Sequence, residues 1–583
     1  MGESSTLVGL LEKAAESPEG GLRFVDRHEQ VRQFAWPEIL RRARRVASGL
    51  QEAGVVRGDR VALIYPTCPE FFDALFGILL TGAAPVPLYP PVRLGRLDEY
   101  AGRTAAMLMA VNARMVLADA RVRRLLGPAL ERARPELGCR TTATLPAAMP
   151  TPVRVEADDL ALVQFSSGTI VDPKPVALSH RAVVAQTRCL NSFWPDGDGV
   201  VHSGASWLPL YHDMGLIGCV FPALERGAAL TLIPPEVFVA RPAVWLRTIS
   251  RFGSTVSPAP NFAYGLCVAK IRDEEMEGVD LGSWRVALNG AEPVAPQVLR
   301  GFQERFVRWG FRPEALTPVY GLSEAALAVT FSDINRHFTS RRFDRDALAD
   351  SGRAVEDPSG IEIVSVGRPL PGFVLRVVDG EDHDLEPGRV GRVLVRGPSI
   401  MEGYLGRPMA TAETLHDGWL NTGDLGFIAG GELYITSRCK DVLILRGRNH
   451  SPVEVEHAVN EVEGVRTGCA AAASYLPEGA DGEVLIVIVE AAGETSEERF
   501  PGIADAVARV VRAAAGLDPD HVEVLAPGTL PRTSSGKIRR LEALRQWLGG
   551  ELAPPAPVTP LRLAGAMLRS SLAMARSRRD GRD

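Results

Sequence analysis

Short apolar runs alternate with helical patterns through about the first 430 residues of this chain. The runs RVALIYP (60–66), GAALTLIP (227–234) and RVALNG (285–290) are typical of buried strands, and 36–54 has the spacing of an amphipathic helix. Strands and helices that alternate in this way pack as a mostly parallel sheet covered by helices. The pattern therefore predicts an α/β fold for this part of the chain.

A second, smaller unit begins near Ser437. Its apolar runs predict strands at 441–447, 483–490 and 521–528, and 501–516 predicts a helix. An α+β unit of about 100 residues has a normal domain size. We therefore predict a large N-terminal domain of mostly parallel sheets (1–437), a small α+β C-terminal domain (438–545), and a Pro-rich linker with a basic tail (546–583).

A further helix is predicted where the small unit continues into the segment SPVEVEHAVNEV. Ser451 is expected to be its N-cap, and Pro452 to occupy its first position. Glu454, three residues after Ser451, is expected to complete a capping box with it.

The tail combines a Pro-rich linker, APPAPVTP (553–560), with a basic segment. Leucines recur there at helical spacing with arginines around them: Leu561, Leu568, Leu572, Arg562, Arg569, Arg576, Arg578 and Arg579. Such a segment can lie on anionic lipid or dock on a partner. A frayed, partly disordered end is the alternative.

Charge and cysteine usage exclude several classes of protein. The net charge of -6 argues against a nucleic-acid partner bound through bulk charge. The cysteines are odd in number and form no CxxC pair, which fits a reducing compartment and argues against a zinc site. The N-terminus lacks signal-peptide features, and no stretch reaches the roughly 18 apolar residues of a membrane helix. We therefore expect a cytoplasmic protein without an integral membrane span.

A small-residue loop follows a predicted strand in LALVQFSSGTIVDPKPVALSHRAVVAQ (160–186), and Ser179 is predicted to cap the helix after it. Hydroxyls, approachable backbone N–H groups and a cation can cradle phosphate oxygens. The residues that offer them are Ser166, Ser167, Gly168, Thr169 and Lys174. The spacing is not that of a Walker loop, and on this segment alone a flexible surface turn is the better interpretation.

Four other segments carry polar residues of interest. Glu324 in PVYGLSEAAL could hold Mg²⁺ or be a surface carboxylate. Asp424 in WLNTGDLG could accept ribose hydroxyls or form an Asx turn. Arg438, Lys440 and Asp441 mark the domain boundary, and Lys537 lies in the polar, Ser/Gly-rich loop of LPRTSSGKIRR.

Taken together and in this order, these segments closely resemble the adenylate-forming superfamily of acyl-CoA synthetases, amino-acid adenylation domains and luciferases. The resemblance spans roughly residues 5 to 545. It implies an enzyme that uses ATP and Mg²⁺, and a small domain that moves relative to the large one.

The resemblance also implies roles for residues at matching positions. The implied catalytic residues are Lys537, His212 and Glu324, and the implied metal ligands are Glu324 and Thr169. Lys440 is the implied hinge between the domains. The implied nucleotide-binding residues are Ser166, Ser167, Gly168, Thr169, Lys174, Asn289, Gly290, Ala291, Glu292, Pro293, Tyr320, Gly321, Leu322, Ser323, Asp424 and Arg438.

Three features resemble fatty acyl-AMP ligases within this superfamily. They are PLYPPV (87–92) with SWLPLYHDMGLIG (206–218), the segment RGRNHSP (446–452), and a polar stretch at 332–360 that we expect to be a structureless insertion. Such an insertion is understood to limit domain movement, so that an acyl carrier protein rather than CoA accepts the acyl group. A surface loop of no consequence is the alternative.

The apolar surroundings of His212, and the lack of an aspartate placed to pair an ammonium, favour a fatty acid over an amino acid. The phosphate loop departs from the family pattern at Ile170, Val171 and Pro175. Val171 is unsuited to positive φ and Pro175 has no N–H to offer. The leading prediction is a fatty acyl-AMP ligase; a long- or medium-chain acyl-CoA synthetase and a non-catalytic nucleotide- or acyl-binding homologue are the alternatives.

Overall fold

The structure of the chain is a computed structural model. It describes residues 4–91, 94–146, 151–165, 174–194, 200–334, 336–445, 448–477, 482–493, 495–533, 536–556 and 558–580, of which 577–580 are described by backbone alone. The predicted phosphate-loop residues Ser166, Ser167, Gly168 and Thr169, together with Ile170 and Val171, lie outside the described residues. So do Arg446 and Gly447 of the RGRNHSP segment.

The helices are α1 (Leu7–Ala14), α2 (Trp36–Glu52), α3 (Pro69–Leu80), α4 (Leu97–Ala110), α5 (Ala120–Arg123), α6 (Gly127–Ala133), α7 (His180–Phe193), α8 (Asp213–Gly215), α9 (Phe221–Arg226), α10 (Pro235–Ala240), α11 (Ala243–Phe252), α12 (Asn261–Lys270), α13 (Pro296–Phe306), α14 (Arg345–Ser351), α15 (Pro408–Thr414), α16 (Pro452–Val459), α17 (Phe500–Ala515), α18 (Arg540–Leu548) and α19 (Pro560–Asp580).

The strands are β1 (Gly21–Val25), β2 (Val31–Ala35), β3 (Arg60–Ile64), β4 (Ala84–Pro87), β5 (Met115–Ala118), β6 (Cys139–Arg140), β7 (Leu160–Phe165), β8 (Pro175–Ser179), β9 (Gly204–Ser206), β10 (Ala229–Leu232), β11 (Val256–Ala259), β12 (Val286–Asn289), β13 (Leu316–Gly321), β14 (Ala328–Phe331), β15 (Ser340–Phe343), β16 (Ile361–Val364), β17 (Arg368–Pro369), β18 (Val374–Val378), β19 (Gly391–Arg396), β20 (Gly403–Tyr404), β21 (Leu415–His416), β22 (Trp419–Ala429), β23 (Glu432–Arg438), β24 (Leu443–Leu445), β25 (Arg448–His450), β26 (Val465–Tyr475), β27 (Val484–Ala491) and β28 (His521–Leu525).

Within the described ranges the largest sheet has the order β17-β14-β13-β12-β11-β9-β10-β1-β2. Its central strands, from β13 to β1, are parallel, and antiparallel strands close both sides. A second, fully parallel sheet has the order β4-β3-β5-β6. The predicted α/β class is confirmed, as are the strands at 60–66, 227–234 and 285–290 and the helix at 36–54.

The core of the large domain is built from fully buried apolar side chains on these strands and the helices that cover them. The most apolar stretch of the chain, residues 74–88, forms the second half of α3 and strand β4, and both are buried. It is apolar because it lies inside the large domain. No helix among the described residues is long and apolar enough to cross a bilayer.

The small domain holds a sheet of β26, β27 and β28 with helices on both faces. Val455 and Val507 of α16 and α17 pack on one face, and Ala543 of α18 packs on the other. The strands and the helix predicted here from apolar runs are confirmed.

The predicted capping box at Ser451 is wrong. Ser451 precedes α16 as predicted, but its side chain makes no cap hydrogen bond. Its Oγ donates to the carbonyl of Thr436 over 3.0 Å, and Glu454 accepts a 2.8 Å hydrogen bond from Nε of Arg345. Both side chains bond to the large domain because α16 begins at the interface between the domains.

The expectation of a structureless segment at 332–360 is also wrong for the residues that the structure describes. Strand β15 pairs with β16, and α14 lies between them in the chain with Asp344 as its N-cap. Phe343 packs against Phe427 and Tyr434, with ring centroids 5.0 and 5.7 Å away. These distant aromatic partners supply the core that the polar local sequence lacks.

The tail is helical, so the frayed alternative is wrong over the part described. Helix α19 docks on the large domain through Ala566, Ser570 and Ala573, which are buried. The backbone N–H of Gly127, in α6, donates to Ser570 Oγ over 2.8 Å. Leu561, Leu568 and Leu572 lie on the opposite, exposed side.

Candidate active site

The carboxyl ends of parallel strands meet at one edge of a sheet, and ligands of open α/β sheets bind there. Asn289 ends β12, Tyr320 and Gly321 end β13, and Trp207 follows β9. A cleft between the two domains opens at this edge. Of the predicted site residues that the structure describes, all but Asn289 and Gly290 line this cleft.

His212, Asp213 and Ser323 form a polar cluster that lines the cleft, and Asp213 is its buried member. His212 Nδ1 lies 2.6 Å from Asp213 Oδ1, and the hydroxyl of Ser323 donates to Asp213 Oδ2. Burial alone would raise the pKa of Asp213, but His212, Ser323 and Lys537 outweigh it and hold that pKa below its usual range. Asp213 is therefore an anion whose oxygens are already engaged.

Lys537 lies in a loop of the small domain, as its polar neighbours suggested, and this loop faces the cleft. Its backbone N–H donates to Thr533 Oγ1 over 3.1 Å, which closes the turn that carries it. Burial and the nearby Arg438 lower the pKa of Lys537, while Asp213, Glu292 and Asp424 oppose that shift. The ammonium is thus stabilised by the negative charge of carboxylates on the large domain.

Asp424 and Arg438 face each other across the β22–β23 pair. Arg438 Nε lies 3.3 Å from Asp424 Oδ1, and the hydroxyl of Tyr320 donates to Asp424 Oδ2 over 2.7 Å. Burial raises the pKa of Asp424 despite these two partners. The structure therefore brings together three residues that the sequence placed in separate nucleotide-binding segments.

Glu324 has a partner that the sequence analysis missed. The Tyr404 hydroxyl donates to Glu324 Oε1 over 2.7 Å, and the Nζ of Lys174 lies 4.9 Å from the Tyr404 ring centroid. Burial raises the pKa of Glu324, and the Tyr404 hydrogen bond opposes that shift. Tyr404 lies in no recognisable motif, so nothing in the sequence indicated this contact. The fold of the chain brings the two side chains together.

The segment after β12 approaches the cleft through its backbone. Asn289 Nδ2 donates to Asn261 Oδ1 over 3.2 Å, and Asn289 Oδ1 is buried with no hydrogen-bond partner in the part of the chain described. A Cβ on Gly290 would lie 2.6 Å from Val319 Cγ2, so glycine is required there. Glu292 Oε1 accepts from the N–H of Phe262 over 2.6 Å, and burial raises the Glu292 pKa.

Lys174 and Pro175 mark where the chain leaves the predicted phosphate loop. Pro175 is the first residue of β8, a position in a strand that tolerates proline. Before the loop, Gln164 lines the cleft, and its buried amide atoms have no hydrogen-bond partner among the described residues. The departure at Pro175 therefore fits the local strand, and Gln164 is a further polar group that the sequence analysis missed.

Lys440 is exposed in the turn between β23 and β24. The neighbouring Asp441 accepts from Arg540 Nη1 over 2.8 Å, and the Arg540 guanidinium also pairs with Glu456 through two hydrogen bonds of 2.6 and 2.7 Å. The sequence did not predict this ion-pair network. It links the first residues of the small domain to helices α16 and α18 of the same domain. The hinge role of Lys440 stays a prediction.

One wall of the cleft is apolar. Trp207, Met214 and Phe262 line it. Leu216 and Ile217, which follow Met214 in the chain, are buried, so the surroundings of His212 are apolar as the sequence predicted. The described residues contain no group of three or more His, Cys, Asp or Glu side chains able to hold a metal. A metal here would depend on Glu324 together with oxygens of a bound substrate.

Comparison with known proteins identifies the family to which this chain belongs. A family model described as AMP-binding enzyme matches residues 11–405. A putative acyl-CoA synthetase of Caulobacter vibrioides is 34% identical over 94% of this chain and 96% of its own length. The medium-chain-fatty-acid–[acyl-carrier-protein] ligase JamA of Moorena producens is 32% identical, over 94% of this chain and 96% of its own.

A solved structure from a study of fatty acyl-adenylate ligases from E. coli and L. pneumophila has a TM-score of 0.87 and 33% identity, and covers 94% of this chain and 98% of its own. The two relatives and the solved structure each match 94% of this chain, so these three matches include both domains. The chain belongs to the AMP-binding enzyme family and is an adenylate-forming ligase of the fatty acyl-AMP ligase type.

Proposed function

We propose that the protein activates a fatty acid with ATP to give acyl-AMP and pyrophosphate, and then transfers the acyl group to the phosphopantetheine thiol of an acyl carrier protein. The position of Lys537 carries this proposal. This lysine of the small domain lines the same cleft as Asp213, Glu292 and Asp424 of the large domain, where it can face a phosphate and a carboxylate at once.

The proposed chemistry is an in-line displacement at the α-phosphorus of ATP. A carboxylate oxygen of the acid forms a bond to phosphorus, and the bond to the pyrophosphate oxygen breaks. Negative charge accumulates on the phosphoryl oxygens, so catalysis depends on positioning and on cationic groups aimed there. The Lys537 ammonium supplies such a group.

The other residues of the cleft would position the nucleotide. Asp424, paired with Arg438 and Tyr320, offers carboxylate oxygens to the ribose hydroxyls. Ala291, Glu292 and Pro293, which line the cleft after β12, would lie against the adenine. Binding at these two ends would fix the α-phosphate near Lys537.

Glu324 would hold Mg²⁺. Its carboxylate lines the cleft and has one oxygen oriented by Tyr404, and Mg²⁺ prefers one or two carboxylates together with substrate phosphates. When bound, the ion supplies charge neutralisation at the triphosphate. Thr169, the other predicted ligand, lies outside the described residues.

The apolar wall supports a fatty acid as the substrate. An acyl chain requires apolar surface and no charged partner. Asp213, the carboxylate nearest this wall in sequence, is occupied by His212 and Ser323 and does not serve an amino-acid ammonium. Relatives named as fatty-acid ligases, including JamA, agree with this assignment.

Ion pairs between the domains support a carrier protein as the acceptor. Helix α14, from the segment predicted to be an insertion, contacts the small domain at both of its ends. Arg345 pairs with Glu454 at 2.8 Å, and Arg448 of the small domain pairs with Asp346 and Asp350 of α14. These contacts restrain the small domain, which favours retention of acyl-AMP until a carrier protein arrives.

A test of activation is mass spectrometry after incubation with ATP, Mg²⁺ and a panel of fatty acids. Acyl-AMP and pyrophosphate should form with wild type and be lost in Lys537→Ala, with folding checked by circular dichroism. Acyl-AMP formed equally by both proteins would refute the role of Lys537. ATP binding without pyrophosphate release would favour the non-catalytic alternative.

An acyl-CoA synthetase is the second candidate, favoured by the relative from Caulobacter vibrioides with that putative name. It differs from the first only in the thiol that accepts the acyl group. Rapid conversion of acyl-AMP to acyl-CoA, without any carrier protein, would identify it.

A further inference from the structure

Helix α19 is docked by its small residues rather than by its large apolar ones. Ser570 and Ala573 are 0% and 4% exposed, and a Cβ on Gly127 of α6 would lie only 2.1 Å from the Ser570 carbonyl oxygen. The helix therefore sits very close to α6. This packing fixes which side of α19 faces outward.

The outward side carries three leucines. Leu561, Leu568 and Leu572 are 85%, 63% and 52% exposed. Their spacing of seven and four residues places them on one face of the helix. Large exposed side chains that share one helix face mark a contact surface more clearly than scattered ones do.

Cationic side chains border this leucine face. Arg562, Arg569 and Arg576 are exposed and recur at seven-residue intervals, so they form a stripe beside the leucines. Arg576 Nη1 lies 3.7 Å from Glu131 Oε1, and the side chain of Arg576 is 71% exposed. Water screens a pair of this kind strongly.

Helix α6, on which α19 packs, and α5, which precedes α6 in the chain, carry further positive charge. Arg121 and Arg124 are exposed at α5, and Arg132 is exposed on α6. The chain as a whole is acidic, with a net charge of -6. A basic region on an acidic protein is a local feature that selects an anionic partner.

We propose that the outward face of α19 docks on the surface of an anionic lipid bilayer. A bilayer interface accepts leucine side chains and attracts arginine, so it matches both components of this face. A nucleic acid would match the arginines but leave the leucines in water. The docking is peripheral, and it stands independently of the acid activated and of the acceptor.

The test is co-sedimentation of the full-length protein with vesicles of equal parts phosphatidylglycerol and phosphatidylcholine, and with phosphatidylcholine alone. Binding should occur to the anionic vesicles and fall steeply with added salt. Replacing the three arginines (Arg562→Gln, Arg569→Gln, Arg576→Gln) should weaken binding about a hundredfold, since each basic residue near such a surface contributes about fivefold.

Replacing the three leucines (Leu561→Ser, Leu568→Ser, Leu572→Ser) should weaken binding by about tenfold or more, because acyl-chain contact is lost. Two matched controls remove three exposed arginines or three exposed apolar side chains at positions outside α19. One replaces Arg41, Arg44 and Arg45, exposed on α2, by Gln; the other replaces Val201, Met409 and Leu476, which are 82%, 81% and 61% exposed, by Ser.

Both controls should bind like wild type. Equal binding to the two kinds of vesicle, or α19 variants that bind like the controls, would overturn the proposal. It would also be overturned if the leucine variant bound normally while DNA or an acidic protein displaced the vesicles, since the face would then serve an anionic macromolecule.

Discussion

The hydroxyl of Tyr404 donates a 2.7 Å hydrogen bond to Oε1 of Glu324, although the two residues lie 80 positions apart in the chain. Tyr404 belongs to β20, which pairs with β8 at the exit of the predicted phosphate loop. The hydrogen bond thus links the proposed metal ligand to the strand that carries the loop. Any change in Tyr404 should therefore affect the phosphate end of the site.

Tyr404→Phe tests this link. Loss of a hydrogen bond to a charged group costs about 1.5–3 kcal/mol, so we expect acyl-AMP formation to fall by about tenfold to a hundredfold. The Glu324 pKa is already raised by burial and should rise further. Because the ionised carboxylate is the active form, the acid limb of the kcat/KM profile should move to higher pH. An unchanged acid limb would exclude Tyr404 from this role.

Lys537→Ala should lower the rate of acyl-AMP formation by about 10²- to 10³-fold, the usual cost of removing a group that stabilises transition-state charge. The melting temperature should change little, because the side chain faces the cleft rather than a core. Pre-steady-state release of pyrophosphate measures the rate. Lys537→Arg is the control that keeps the charge and should retain more activity than Lys537→Ala.

Arg438→Gln should alter the basic side of the pH profile. Burial and Arg438 both lower the Lys537 pKa, so removing the arginine should raise it. The ammonium is the active form and activity is lost as pH rises through this pKa. The basic limb of kcat/KM should therefore move to higher pH in the variant, while KM for ATP rises. A basic limb that moves to lower pH would contradict the electrostatic account.

Gly127→Val should displace α19, since any Cβ there meets the Ser570 carbonyl oxygen at 2.1 Å. We expect trypsin to cleave within α19 faster than in wild type, by about tenfold if docking loses 1–2 kcal/mol through overpacking. Gly565→Ala is the matched control, because its Cβ meets only Arg569 Nη1 at 3.8 Å. Equal cleavage of the two variants would show that Gly127 does not hold the helix.

Buried strands and amphipathic helices could be predicted from sequence because their patterns are local. Apolar runs marked β3, β10 and β12, and the predicted cap at Ser179 is confirmed by its hydrogen bond with the N–H of Ala182. Ser451 has the same local signature, yet its hydroxyl bonds to Thr436 because the other domain offers a carbonyl there. The local sequence pattern predicts which hydrogen bond a side chain could form, and the tertiary contacts determine which one it does form.

The candidate site was predictable where ordered motifs supply its residues, as for Asp424, Arg438 and Tyr320. Tyr404 and the ion pairs of Arg345 and Arg448 were not, because their partners lie far away in the chain. Helix α19 shows the same limit: the leucine spacing predicted a helix, but the side that packs is set by the shape of α6.

The measurement that tests the central claim most directly is mass spectrometry of acyl-AMP preformed by the enzyme, then divided between CoA and a phosphopantetheinylated acyl carrier protein. We expect acyl-AMP to persist with CoA and to be consumed by the carrier. In Arg345→Ala with Arg448→Ala, which breaks the ion pairs across α14, transfer to CoA should increase. Prompt acyl-CoA formation by wild type would contradict the account, as would persistence of acyl-AMP in the presence of the carrier.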